Sequence, residues 1–233
     1  MKLISFDVWN TLLSLKVMIE ELQRCLVEFA GINAEEASQA IFEVRKEIKK
    51  ERKEGKSDPD RILEVSQELL ANRIGKDVEV VKRAVAKATL NVDKEVVIEG
   101  ARDTLRRVRD LGLISITIGN VMFWPSSYTR LLLEKYQLAD YIDRQFYSDE
   151  LRVYKPMKKV FLEPLRYFRV SPEEALHIGD TRSEDFEGAL NAGLYAVWIN
   201  PKATRIEKID ERGFMVGNVN GLLEVLEILE RWV

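Results

Sequence analysis

The sequence predicts an α/β protein: a doubly wound, parallel-sheet (Rossmann-like) core interrupted early by a block of helices. Three observations predict it. The chain opens with the apolar run Leu3-Ile4-Ser5-Phe6, which ends in Asp7 and reads as a buried strand. From about residue 15 to 91 the apolar spacing is helical, with no convincing strand. From about 96 onward, strand and helix signals alternate in units of the length a parallel sheet with crossover helices requires. A chain of 233 residues has room for a core with a sizeable insertion. The pattern divides it into a core of 1–14 and 92–233 and a four-helix cap of 15–91.

Each element has a local cause. The helix over 18–30 stops at Gly31. Asn33 with Glu36 makes a capping-box start for a helix running to about Glu54, before Gly55. Asp58-Pro59 is expected to open a third helix, with proline at its first position, ending at Gly75. Asp77 caps a fourth that runs through Leu90. In the second half, residues 100–110 form a helix ending at Gly112. Residues 113–118 are a continuous, largely β-branched run, as in a strand covered on both faces. A helix over 125–136, a short strand over 144–148, a helix over 157–168 and a strand over 175–178 follow. A helix over 183–192, a strand over 194–199, the strand Phe214-Met215-Val216 and a helix over 222–232 close the chain.

Composition narrows the function classes. Hydrophobic residues make up 46%, enough for a large core, and charged residues 32%, above the usual quarter. The excess of Lys, Glu and Arg, with a single cysteine, leans towards a heat-adapted, cytoplasmic protein. A net charge of -3 argues against nucleic acid or an anionic membrane as partner. One cysteine, Cys25, excludes an internal disulfide and a multi-thiolate zinc site. No segment reaches the ~18 apolar residues of a membrane span. A monomer or homodimer is expected.

In open parallel sheets, ligands bind beyond the carboxyl ends of the strands. Asp7 follows the first strand, Gly119 and Asn120 the second, Val153-Tyr154-Lys155-Pro156 the third, and Gly179 and Asp180 the fourth, with Asp185 one turn on. Separate carboxylates, a lysine and an amide therefore converge on one edge. His177 reads as a packed core histidine. Residues 43–56, with seven Lys/Arg against four Glu, read as a solvated helix end. Phe123 and Trp124 divide between core packing and lining of the substrate mouth.

In these four tracts the sequence resembles the haloacid dehalogenase-like (HAD) hydrolase superfamily, in the style of an archaeal or thermophile member. The motifs appear in order, the cap lies between the first and second, and Gly179-Asp180-Thr181-Arg182-Ser183-Glu184-Asp185 is the most specific stretch. The resemblance implies that Asp7 is a nucleophile forming an aspartyl-phosphate and that Mg²⁺ is bound. Its ligands would be Asp7, Asp180, Asp185 and the main-chain carbonyl of Trp9, with Asp185 able to act through water. Lys155 would pair with Asp7 and the phosphate, and Asn120 would donate to a phosphate oxygen. Gly119 stands where the family carries Ser or Thr, removing one donor, and Asn10 where glycine is frequent, a position that Asn tolerates at positive φ. Trp9 stands where the family carries its acid–base aspartate. An aromatic there resembles the 2-haloacid dehalogenases, which are metal-independent; the metal-type fourth motif favours a phosphatase for a small phosphorylated substrate. Dehalogenation is the alternative, and a catalytically weak Mg²⁺/phosphate-binding protein the third reading.

Overall fold

A computed structural model describes residues 1–230. It begins with β1 (Leu3–Phe6) and four helices, α1 (Leu15–Ala30), α2 (Ala34–Lys53), α3 (Ile62–Arg73) and α4 (Val78–Asn91). There follow α5 (Ala101–Asp110), β2 (Ile114–Gly119), α6 (Ser126–Lys135), β3 (Arg144–Tyr147), the one-turn α7 (Ser148–Leu151) and α8 (Lys158–Phe168). The chain continues through β4 (Ala175–Gly179), α9 (Glu187–Asn191), β5 (Tyr195–Ile199), β6 (Glu207–Asp210), β7 (Gly213–Val216) and α10 (Gly221–Glu230).

The strands form one sheet in the order β3-β2-β1-β4-β5-β7-β6, parallel except for the antiparallel β6–β7 pair. The chain winds outward from β1 through β2 to β3, then returns to β4 on the other side of β1. The winding reverses between β1 and β4, and such a switch point opens a crevice at the carboxyl ends of its strands. Asp7 and Asp180 leave the sheet there.

All four residues of β1 are buried, because the strand is hydrogen-bonded on both sides and covered on both faces. Side chains alternate between the faces. Ile4 and Phe6 join Leu105 and Val108 of α5 and Leu222 and Val225 of α10. Leu3 joins Ile116, Val160, Phe161 and Leu165. The first of these clusters runs on without a break into α1–α4 through Leu12, Leu13, Met18, Leu22, Val44, Leu70, Val81 and Val85.

The capping box of Asn33 and Glu36 forms as the sequence predicts, as do the Asp77 cap and the left-handed Gly31 terminus. Four expectations shift. The third helix begins at Ile62, not Pro59: Asp58 closes a turn instead, accepting from the main-chain N–H of Asp60 at 3.0 Å and of Arg61 at 3.3 Å. The segment expected as a helix over 183–192 opens as a π turn over Arg182–Phe186 before α9. Strand β6 was not visible in the sequence; its residues Glu-Lys-Ile-Asp form a mostly exposed, charged edge without the alternation that marks a half-buried strand. Ser148, expected at the end of a strand, starts α7. The last residues of the helix expected over 222–232 lie outside the described part.

The two passages between β1 and the helical block run side by side. Ser14 N–H donates to Val96 O at 2.6 Å and Ile98 N–H to Leu12 O at 3.0 Å, with Leu13 and Val97 bridged antiparallel. The block is also fastened to the loop after β2. Arg52 donates to Val121 O, Gln67 Nε2 to Phe123 O at 2.7 Å, and Phe123 N–H to Ser66 Oγ at 2.9 Å.

Candidate active site

Where β1 ends, the chain turns sharply: Val8 O accepts from the N–H groups of Thr11, Leu12 and Leu13. Asn10 sits in this turn at φ 65°, the left-handed conformation that asparagine tolerates. Its Nδ2 donates to Asp180 Oδ2 at 3.0 Å and its Oδ1 accepts from Leu15 N–H at 3.2 Å, tying the β1 loop to the β4 loop and the start of α1. Asp180 is held from behind as well, since Trp198 Nε1 donates to its main-chain oxygen at 3.0 Å.

Lys155 is the hub. Its Nζ lies 2.6 Å from Asp7 Oδ1 and 2.6 Å from Asp185 Oδ1, and only 1% of its side chain is exposed. Asp185 also accepts from Thr181 N–H at 2.8 Å and lies 3.2 Å from His177 Nε2. On the far side of that ring, Nδ1 is 2.8 Å from Ser5 Oγ. With Asp185 ionised, Nε2 is the donor and Nδ1 accepts the Ser5 hydroxyl. The core histidine of the sequence reading is indeed buried, edge-on to Phe161; its position behind Asp185 depends on the Ser5↔His177 register of β1 and β4.

Two glycines make this packing possible. A Cβ on Gly179 would sit 2.3 Å from Asp185 Cγ, so only glycine lets the carboxylate fold back onto the end of β4. A Cβ on Gly119 would lie 2.9 Å from the Tyr147 ring. The buried tyrosine at the end of β3 thus takes the space where a Ser or Thr side chain would stand, a physical reason for the missing hydroxyl.

The electrostatics follow from crowding. Ligand oxygens of Asp7, Asp180 and Asp185 lie within 4.8 Å of one another. Burial pushes the Asp7 carboxyl up to about 8; Lys155 opposes the push, and Asp185 and Asp180 add to it. Asp180 is raised too, by burial and then by Asp185. Asp185 is buried, but Lys155 and the His177 hydrogen bond hold it well below the carboxylate range. Lys155 is buried too, but Asp185 and Asp7 keep its ammonium charged. Burial lowers His177 and leaves it neutral. With all three carboxyls ionised against one ammonium, two negative charges rest on hard oxygen donors, a set that suits a small divalent cation.

Asn120 is placed as expected, but its amide is engaged. Nδ2 donates to Lys155 O and to Glu184 Oε2, each at 3.1 Å, and Oδ1 accepts from Lys155 N–H at 2.9 Å. Above these groups lies a cleft of about 590 Å³, open solvent included. Trp9 and Trp124 form one wall, edge to face at 5.0 Å. Phe123, at 0% exposure, and Trp124, at 4%, are core residues, and both also line the cleft.

The reading of residues 43–56 as a solvated helix end is corrected for two residues, the half-buried Arg45 and the buried Arg52, while Lys49 lines the cleft and stays exposed. Arg45, Lys49 and Arg52 of α2 line the cleft, and Arg52 is only 3% exposed. Their spacing of four and three residues puts them on one helix face, a signal the charge count alone obscures. Glu184, inside the fourth motif, was also passed over.

A parallel sheet with a switch-point crevice, an aspartate after β1, a buried lysine and paired aspartates after β4 define a hydrolase of the HAD type. The family model of haloacid dehalogenase-like hydrolases matches residues 1–193, and the chain belongs to that family. It is 29% identical, over 85% of its length and 83% of the relative's, to a glyceraldehyde 3-phosphate phosphatase of Methanopyrus kandleri. It is 32% identical to the glyceraldehyde 3-phosphate phosphatase of Pyrococcus furiosus over 58% of its length, a match spanning about half of that enzyme (55%). Among solved structures, the magnesium-bound HAD-hydrolase YfnB of Bacillus subtilis superposes with a TM-score of 0.76 at 21% identity, covering 97% of this chain and 98% of that one. A 2-haloacid dehalogenase of Pseudomonas syringae pv. Tomato superposes with a TM-score of 0.71 at 22% identity over the whole of both. At these identities the two structures establish the fold. No helix among the described residues is long and apolar enough to cross a membrane.

Proposed function

We propose that the protein is a Mg²⁺-dependent phosphatase of a small phosphorylated substrate, working through an aspartyl-phosphate on Asp7. The observation that carries this reading is the cluster of Asp7, Asp180 and Asp185 around the buried Lys155 at the foot of the cleft. Asp7 would attack phosphorus, the bond to the leaving oxygen would break, and water would then release phosphate and regenerate the carboxylate. Lys155 keeps Asp7 Oδ1 oriented and lowers the repulsion between carboxylate and phosphate. Asn120 would turn one N–H from Glu184 to a phosphate oxygen, while Lys155 N–H holds its Oδ1. Asp7, Asp180, Asp185 and the Trp9 carbonyl would hold Mg²⁺, which supplies positive charge against the phosphate oxygens. The names of the two archaeal relatives favour a phosphate ester.

Residues 15–91 are proposed to act as a cap, joined to the core by the paired passages at Leu12–Ser14 and Val96–Ile98 and closing over Asp7. The buried free thiol of Cys25 fits a reducing, cytoplasmic setting. Mg²⁺-dependent phosphate release from a panel of esters, abolished in Asp7→Asn, tests the reading; activity unchanged in that variant would refute it. One observation favours dehalogenation: Trp9 offers no proton, and a departing halide needs none. Halide release from 2-chloropropionate in EDTA would establish that alternative instead.

A further inference from the structure

The cleft has a roof that the proposed phosphoryl chemistry does not use. Arg45, Lys49 and Arg52 stand on one face of α2 and line the same cleft as the carboxylates. None of the three takes part in an ion pair among the described residues, although α2 forms such pairs elsewhere, as between Glu43 and Arg73. Arg52 is the most telling. Its guanidinium is buried; among the described residues it hydrogen-bonds to a neutral main-chain oxygen alone, that of Val121, and its Nε has no partner. A buried guanidinium without a carboxylate is costly unless something else satisfies it. Glu184, an acidic group that acts on it, is hydrogen-bonded to Asn120. Arg45 and Lys49 feel Asp180, at the rim of the floor. The apolar part of the lining is formed by Trp9, Leu15, Ile19, Met122, Phe123 and Trp124.

We propose that this roof is a second anion subsite, so that the substrate is a short phosphate ester carrying a further acidic group, a carboxylate or a second phosphate, at the end away from the floor. The proposal rests on the phosphatase reading for the floor and deepens it. The apolar wall leaves the middle of the substrate without polar recognition, and selection falls to the two charged ends. A guanidinium fork matches carboxylate and phosphate equally well. A charge-assisted contact of this kind gives about 10- to 100-fold in affinity.

Two non-hydrolysable probes test the roof independently of turnover: phosphonoacetate, with a carboxylate, and ethylphosphonate, without one. Calorimetry in Mg²⁺ should find phosphonoacetate bound about 10- to 100-fold more tightly by the wild type. Arg45→Gln and Lys49→Gln, at positions that are not fully buried, should each shrink that ratio, and Arg52→Lys should shrink it with the charge retained. Equal affinities in the wild type, or a ratio unchanged in Arg45→Gln and Lys49→Gln, would overturn the proposal. Turnover of 3-phosphoglycerate and glyceraldehyde 3-phosphate, which differ only in carboxylate against aldehyde, should show the same preference in kcat/KM; a preference for the aldehyde would also overturn it. Tight phosphonoacetate binding without hydrolysis of any ester would instead leave the roof standing and remove the phosphatase reading.

Discussion

Replacing Trp9 with aspartate should supply the acid–base group that the cleft lacks, and the gain should depend on the leaving group. The Trp9 ring is half-buried, lines the cleft beside Asp7 and meets Trp124 at 5.0 Å. Losing that ring pair costs about 0.5–1.5 kcal/mol, and losing the burial of half an indole about 1–2 kcal/mol more. Both fall within the 5–15 kcal/mol of an ordinary domain, so the variant should fold. A positioned acid contributes ~10²–10⁴-fold, about 3–5 kcal/mol of barrier. An aryl phosphate departs without a proton, so the wild type should give a normal burst followed by slow turnover, because water attack on the aspartyl-phosphate lacks a base. An alkyl phosphate leaves as a basic alkoxide and should be slow from its first step. Rapid-quench kinetics in Mg²⁺ should therefore show Trp9→Asp raising the alkyl-phosphate rate far more than the aryl burst. Equal effects on both, or inactivity of wild type and variant alike, would refute the reasoning and favour a silent binding protein.

Asp180→Ala should weaken Mg²⁺ binding measured by calorimetry and remove the Mg²⁺-induced rise in Tm, which for the wild type at a hundredfold excess over Kd corresponds to about 2.7 kcal/mol. Lys155→Met should abolish turnover and destabilise the fold by about 3–5 kcal/mol in denaturant titration, since it strands Asp7 and Asp185 without their buried cation. In EDTA, stability should fall as pH rises from about 4 towards 8, because Asp7, raised by burial, holds in the folded state a proton that the unfolded chain has already released. Mg²⁺ should flatten that slope by stabilising the ionised form, and thermal melts across pH with and without the ion would show it. Gly119→Ser should cost about 1–3 kcal/mol through overpacking against Tyr147, and Tyr147→Ala in the same chain should relieve part of it.

Much of the floor was legible because HAD-type chemistry sits at strand ends, and strand ends are marked by where apolar runs stop. Asp7, Asn120 and Asp180 follow the ends of β1, β2 and β4 directly, so the sheet topology brings them to one edge; Lys155 reaches that edge from beyond α7, eight residues after β3. The roof was not legible for the opposite reason. Arg45, Lys49 and Arg52 lie in a helix whose charge content is high all round, with Lys46, Lys50 and Lys53 exposed beside them. Helical spacing says which residues share a face, but the face that meets the cleft is decided by how α2 packs against α1 and α3.

Most of the elements could be read along the chain because they rest on local causes: the capping box at Asn33, the left-handed Gly31, the buried run of β2. The sequence also pointed to the carboxylates and the amide of the candidate site, through their places after the strands. Only the tertiary structure decided how those residues are charged and oriented. Asp7 and Asp185 are both carboxyl groups beside the same lysine, yet burial raises one while Lys155 and a hydrogen bond from His177, which reaches Asp185 alone, lower the other. That difference depends on a strand register, on Gly179 letting Asp185 fold back, and on burial by segments from several parts of the chain. Local sequence has no term for such contacts, since desolvation and hydrogen bonding to a charge are set by whatever the folded chain brings within a few ångströms.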